Sequence, residues 1–221
     1  VFSAKDLLFT PPAAVTAQPS FDAVGAGKTG TATTLTWSHT ITGNAVIVGG
    51  NILEHTSTSP TLTAKVGSTS MTSIAKLSPI LSTATGWYFT VFAFQLLNPP
   101  TGAQTMTLTL TGTSPDTAVN SVSYSNVSSV GTPTQDSHTT ATTSASTTVS
   151  SASNQTVVYV YGNGTTGTLS AFNQTQRYYQ PYVASTCNPA LIGDAPGAAS
   201  VTFSLTQSAS GNYGAIGVPL S

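Results

Sequence analysis

Thr105-Met106-Thr107-Leu108-Thr109-Leu110 alternates hydroxyl and apolar side chains with a period of two. Successive side chains of an extended strand point to opposite faces, so this spacing sends Met106, Leu108 and Leu110 to one side and the threonines to the other. Thr is β-branched and suits a pleated surface. The pattern predicts half-buried antiparallel strands with the apolar face on a core. Thr31–His39 repeats it around Leu35 and Trp37.

Other segments are apolar throughout. Asn44–Asn51 carries Ala45-Val46-Ile47-Val48, a run suited to a central strand. Trp87–Leu97 is the most apolar stretch, and its Phe, Val and Tyr content favours strand over helix. Further strands are expected at 61–66 and 71–74 around a Gly67-Ser68 turn, at 104–112, and at 118–126 after Ser114-Pro115-Asp116. The series resumes at 156–161, 165–172, 177–183, 200–206 and 213–218. Asn163-Gly164 reads as a type I′ hairpin turn joining 156–161 to 165–172, because both central residues of such a turn need positive φ. Residues 128–154 are nearly all Ser, Thr and Ala and read as a long loop with one polar strand. The expectation is an antiparallel sandwich of two sheets with about ten or eleven strands. Its core should include Leu35, Trp37, Val46, Val48, Val91, Leu108, Leu110, Val122, Val158, Val201 and Phe203.

Residues 1–30 form a separate expectation, an N-terminal extended arm ahead of a sandwich over 31–221. Pro11-Pro12 and Pro19 stop any helix begun at Val1–Phe9, and Gly25-Ala26-Gly27 is a flexible join. Phe2, Leu7, Leu8 and Phe9 are too apolar for a free tail and are the candidate anchor, whether on the chain's own sandwich or on a partner.

Composition narrows the function. Only 11 of 221 residues are charged, whereas 41 are Thr and 29 Ser. An ordinary domain carries roughly a quarter charged residues, so catalytic carboxylates and ammoniums are scarce here. A net charge of −1 argues against nucleic acid, which needs basic surface, and against electrostatic docking on a membrane. No apolar run approaches the roughly 18 residues of a membrane span, so no membrane insertion is expected. Cys187 is the only cysteine, which excludes an intrachain disulfide and suits assembly in a reducing cytosol. Val1-Phe2-Ser3-Ala4-Lys5 does not resemble a secretory signal.

The motifs for chemistry are incomplete. Gly25-Ala26-Gly27-Lys28-Thr29 approaches a phosphate loop, but Asp22 stands where the motif needs its first Gly, and a strand is expected after it. Gly-x-Ser-x-Gly is absent. His39, His55 and His138 lack metal-ligand spacing. Glu54 is the only Glu, and Asp116 and Asp136 read as turn residues. Sequons at Asn126, Asn154, Asn163 and Asn173 are expected by chance in so Ser/Thr-rich a chain. No catalytic residue, metal or cofactor is expected. The remaining candidate is aromatic: Trp87, Tyr88, Arg177, Tyr178, Tyr179 and Tyr182 could form a surface for glycan or adhesion.

The order of segments carries a resemblance. Ala32-Thr33-Thr34-Leu35-Thr36-Trp37-Ser38-His39 leads to the 45–50 strand, then to Leu96-Leu97-Asn98-Pro99-Pro100-Thr101-Gly102 and the 106–110 strand. Val122-Ser123-Tyr124-Ser125-Asn126-Val127 follows, then Gly197-Ala198-Ala199-Ser200-Val201-Thr202-Phe203 and a close on Ile216-Gly217-Val218-Pro219. Over about residues 30–220 this resembles the β-sandwich module of minor tail proteins of phages infecting actinobacteria such as mycobacteria. Similar modules recur in bacterial surface proteins. The resemblance implies a jelly-roll-like sandwich and a non-enzymatic virion structural protein, made in the host cytoplasm. Its role would be a minor tail protein, a head fibre or a decoration protein. The expected partners are other virion proteins, further copies of the chain with a trimer favoured, and cell-envelope glycan. The alternative is a carbohydrate-binding or adhesive module of a bacterial surface protein.

Overall fold

The computed structural model describes residues 17–111 and 116–221. Their strands are β1 (Ser20–Val24), β2 (Lys28–Gly30), β3 (Thr34–Ile41), β4 (Ala45–Glu54), β5 (Leu62–Val66), β6 (Thr69–Ser70), β7 (Thr72–Leu81) and β8 (Tyr88–Leu97). They continue with β9 (Gly102–Leu110), β10 (Asp116–Ser125), β11 (Thr134–Val149), β12 (Thr156–Asn163), β13 (Leu169–Ser170), β14 (Thr175–Gln180), β15 (Ala190–Pro196) and β16 (Val201–Leu220). All described strand pairings are antiparallel.

The architecture is all-β, but it stacks three sheets where two were expected. The middle sheet runs β1-β10-β4-β8-β7, with β2 also on β10; one outer sheet runs β3-β9-β5-β6 and the other β11-β16-β12-β15-β14, with β13 also on β16. The alternation in each strand explains the stack. Val46, Val48, Ile52, Phe92 and Phe94 face Leu35, Trp37, Met106, Leu108 and Leu110 of the β3–β9–β5 sheet. Ile47, Phe89, Val91 and Ala93 face Val158, Val160, Ile192, Ile216 and Val218 of the other. Every residue of β4 is therefore buried, which is why it reads as a continuous apolar run while β3 alternates. All eleven core residues expected from the sequence are buried.

A third core lies beyond the β12–β16 sheet. The β11–β16 ribbon loses register between His138 and Ser144, and its far half folds back over the near half. Phe203 then stacks flat on Tyr159, with ring centroids 4.5 Å apart. Val149 fills the space above Gly217, where an added Cβ would lie 2.2 Å from its Cγ2.

Several expectations are corrected. Residues 134–149 are one long strand, not a loop with a short strand. Residues 201–220 form a single strand, and β15 had no expected counterpart. The Asn163-Gly164 hairpin does not form: β12 pairs with β15 and β16. Gly164 is not among the positive-φ glycines, and it is packed against Ser82, whose Cβ would lie 2.3 Å from an added one. Asp116 and Asp136 are strand residues rather than turn residues, and Asp136 accepts hydrogen bonds from Thr147 and Tyr213. The arm boundary at residue 30 also moves. β1 and β2 pair with β10, and Phe21 packs edge-on against Tyr124, so residues 20–30 belong to the middle sheet. The candidate anchor at Phe2, Leu7, Leu8 and Phe9 lies outside the described residues.

Candidate functional site

Two polar constellations stand out among the described residues, one buried and one open. The buried one joins β1, β3 and β10. Trp37 Nε1 donates to Ser121 Oγ at 2.9 Å, and His39 lies between Ser121 Oγ (2.8 Å from Nδ1) and Ser123 Oγ (3.1 Å from Nε2). Ser123 Oγ donates to Asp22 Oδ2 at 2.7 Å. Burial lowers the His39 pKa, with smaller opposing effects from the Asp22 charge and the Ala23 carbonyl, which favours the neutral ring. The directions then follow. Ser123 spends its proton on Asp22 and so accepts from Nε2–H; Ser121 accepts from the indole and donates to Nδ1. A hydrolytic triad needs the carboxylate on the imidazole and a nucleophile on its far side. Here the order is Asp–Ser–His–Ser, and His39 is only 2% exposed. The network fastens β1 and β3 to β10.

The open constellation is built around Trp87. The turn before β8 closes through Gly86 N–H to the Ser82 carbonyl (2.8 Å) and Ser82 N–H to the Trp87 carbonyl (2.7 Å). Gly86 takes a φ of 73°, a left-handed conformation that glycine adopts without a Cβ penalty. The turn is pinned from outside by Ser82 Oγ on the Gly164 carbonyl and by Thr83 on Asn212 Oδ1. Its backbone is thus held while the Trp87 side chain stays 40% exposed, with the His55 ring 3.9 Å away between centroids.

Opposite lies the 181–188 loop. Val183 N–H donates to the Cys187 carbonyl at 3.0 Å, and Cys187 N–H donates back to Val183 at 3.0 Å. Cys187 is fully buried against Ala118 and Ala190, and burial pushes its thiol up to about 11. Asn188 donates to the Asn163 carbonyl, which also receives Asn51 Nδ2 from β4. These ties set Tyr182 across from Trp87. Leu53, His55, Thr85, Trp87, Asp116, Thr166, Tyr182, Ser185 and Asn188 line a cavity of about 190 Å³. Burial raises the Asp116 carboxyl, and the nearby His55 charge partly opposes it.

The six expected surface residues therefore separate. Trp87 and Tyr182 meet in this cavity. Tyr88 is half-buried on β8 beside it, paired with Glu54 and Leu81. Arg177 Nε bonds Asp194 at 2.8 Å, which also accepts from Tyr124, and the guanidinium lies 3.8 Å above the Phe21 ring. Tyr178 packs on two cores beside Gly27, and Tyr179 accepts the Leu169 N–H while its ring meets Phe172. His55, Asp116 and the hydroxyls had no sequence signal, because the topology alone brings the ends of β4, β8 and β10 together. Among the described residues no three of His, Cys, Asp and Glu cluster as a metal site requires. The near-phosphate-loop segment simply links β1 to β2, and no helix follows it.

No family model matches the chain, and neither does any curated protein or solved structure.

Proposed function

We propose that this chain is a non-enzymatic structural protein of a phage virion, of the minor tail type, with one end turned to the host surface. The observation that carries the reading is the stack itself. Both faces of the central strands β10, β4 and β8 are sealed, and the outside is dressed in hydroxyls with almost no charge. Such a body is a spacer or mount rather than a hinged catalyst. The 16-residue edge strand β11 holds only Asp136 and His138 as titratable groups, so little repels a neighbouring strand. Self-association, with a trimer favoured, belongs to this reading.

The test is immunogold labelling of purified particles with antibody to this chain. Labelled tails are expected. Label confined to the surface of uninfected cells would replace the proposal with a carbohydrate-binding module of a bacterial surface protein. The cavity at Trp87 is the specific observation that favours that second reading.

A further inference from the structure

We propose that the Trp87 cavity binds one neutral pyranose ring of a surface glycan; the inference rests on the host-facing part of the reading above. Four features point to this ligand class. The first is the exposed aromatic wall. A pyranose presents a face of C–H bonds that packs on an aromatic ring, and Trp87 offers such a ring with its backbone already fixed by the Ser82 turn. The second is the rim. Thr85, Thr166 and Ser185 supply hydroxyls, Asn188 an amide and Asp116 an acceptor-only carboxylate, a set that matches alternating sugar hydroxyls.

The third is size. At about 190 Å³ the cavity is smaller than the roughly 300–1,000 Å³ of drug-sized sites, which suits one ring rather than a long chain buried end to end. The fourth is charge. No Lys or Arg lines the cavity, and its one basic side chain, His55, lies against the Trp87 ring and acts on Asp116, whose carboxylate would repel a phosphate or a carboxylate. That separates a neutral sugar from a nucleotide or an acidic glycan, either of which would also stack on Trp87. The site is preorganised by two ties outside it, Ser82 to Gly164 and Thr83 to Asn212, and by one from its own lining, Asn188 to Asn163. A ligand would pay little to order it.

The test titrates the full chain with the methyl glycosides of glucose, mannose and galactose, followed by tryptophan emission. Trp37 is buried and bonded to Ser121, so a change reports Trp87. A saturable response to at least one glycoside is expected. Trp87→Ala should abolish it, and Asp116→Asn should weaken it at least about tenfold, the scale of one lost anchoring contact. Tyr178→Phe, outside the cavity, should leave it unchanged. If Trp87→Ala lowers the melting temperature, Asp116→Asn and Tyr182→Ala carry the test, since the first removes one charge and the second one ring of the lining. No saturable response to any glycoside in the tens of millimolar overturns the assignment, as does a response undiminished in these variants. Particle labelling is read separately. Labelled tails without a sugar response reject the cavity and leave the virion reading standing; a sugar response without labelled particles does the reverse.

Discussion

Glu54 and Asp22 are two buried-side acids whose surroundings push them in opposite directions. Glu54, at the end of β4, is 7% exposed and accepts from Thr90 at 3.0 Å. Burial raises its pKa from 4.5 to about 7, against weaker downward pulls from Thr90 and Lys76. The folded chain therefore binds more protons than the unfolded one between those values. The stability Glu54 allows is complete below 4.5 and is lost as pH rises through about 7. Glu54→Gln should raise the melting temperature at about pH 8 and change it little at about pH 4. Equal shifts at both would show that Glu54 does not titrate in this range. Burial also pushes Asp22 up, but hydrogen bonds from Thr42, Ser123 and the N–H groups of Thr42 and Gly43 together hold it down at about 2. Its contribution is complete above 3.8 and is lost as pH falls through about 2. Asp22→Asn should destabilise at neutral pH and flatten the acid limb of the stability curve. An acid limb as steep as the parent's would sink that reading.

Among the elements, the folded-back β11–β16 ribbon is the one on which the third core depends. Phe203 stacked on Tyr159 is its central contact. Phe203→Ala should cost about 3–5 kcal/mol if the ribbon stays docked. A smaller loss accompanied by faster amide exchange at 144–149 and 201–206 would mean that the ribbon lifts off instead. Gly164 gives a second test at this scale. Gly164→Ala places a methyl group onto Ser82 and should cost about 1–3 kcal/mol, as overpacking does. Ser82→Gly in the same chain should restore part of that; a positive-φ origin would give no such relief. These two places also show what was legible in the sequence. β3, β4, β8, β9 and β12 were readable because local period and apolar runs report whether one or both faces are covered. The ribbon was not, since a Ser/Thr/Ala run carries no sign of the strand it will pair with more than 50 positions away. The Asn163-Gly164 signal misled for a related reason. Asn163 is fully buried and its amide is spent on Gln207, so tertiary contacts override the local turn preference. At the site, the aromatic character of Trp87 and Tyr182 was legible, but their meeting with His55 and Asp116 depends on where four strands end.

At the scale of the whole molecule, nearly all cohesion comes from pairings between distant segments, and the chain's first described residues take part in it. Gln18 Nε2 donates to the Gln155 carbonyl, and Thr156 donates to the Pro19 carbonyl, so this segment touches the β12 end as well as β10. Phe21 covers Tyr124 and carries Arg177 on its other side. Asp22 takes hydrogen bonds from Thr42, Gly43 and Ser123. Removing 17–30 would strand those partners, each at about 1–3 kcal/mol where it stays buried. Two truncations separate the covering role from the proposed anchoring role: chains 17–221 and 31–221, compared directly. The second should melt about 6 °C or more below the first, since three buried groups left without partners (Gly43 N–H, Ser123 and Thr156) at about 1 kcal/mol or more each correspond to at least that shift at this chain length. Equal melting temperatures would make residues 17–30 an appendage and restore an arm that ends at Gly30. Particle incorporation is then read on the 17–221 chain, which keeps the middle sheet complete. Failure of 17–221 to enter particles while its melting temperature matches the parent assigns anchoring to residues 1–16, with Phe2, Leu7, Leu8 and Phe9 as the apolar contacts. Normal incorporation moves the anchoring surface onto the sheets, where the long, nearly uncharged edge of β11 is the first segment to substitute.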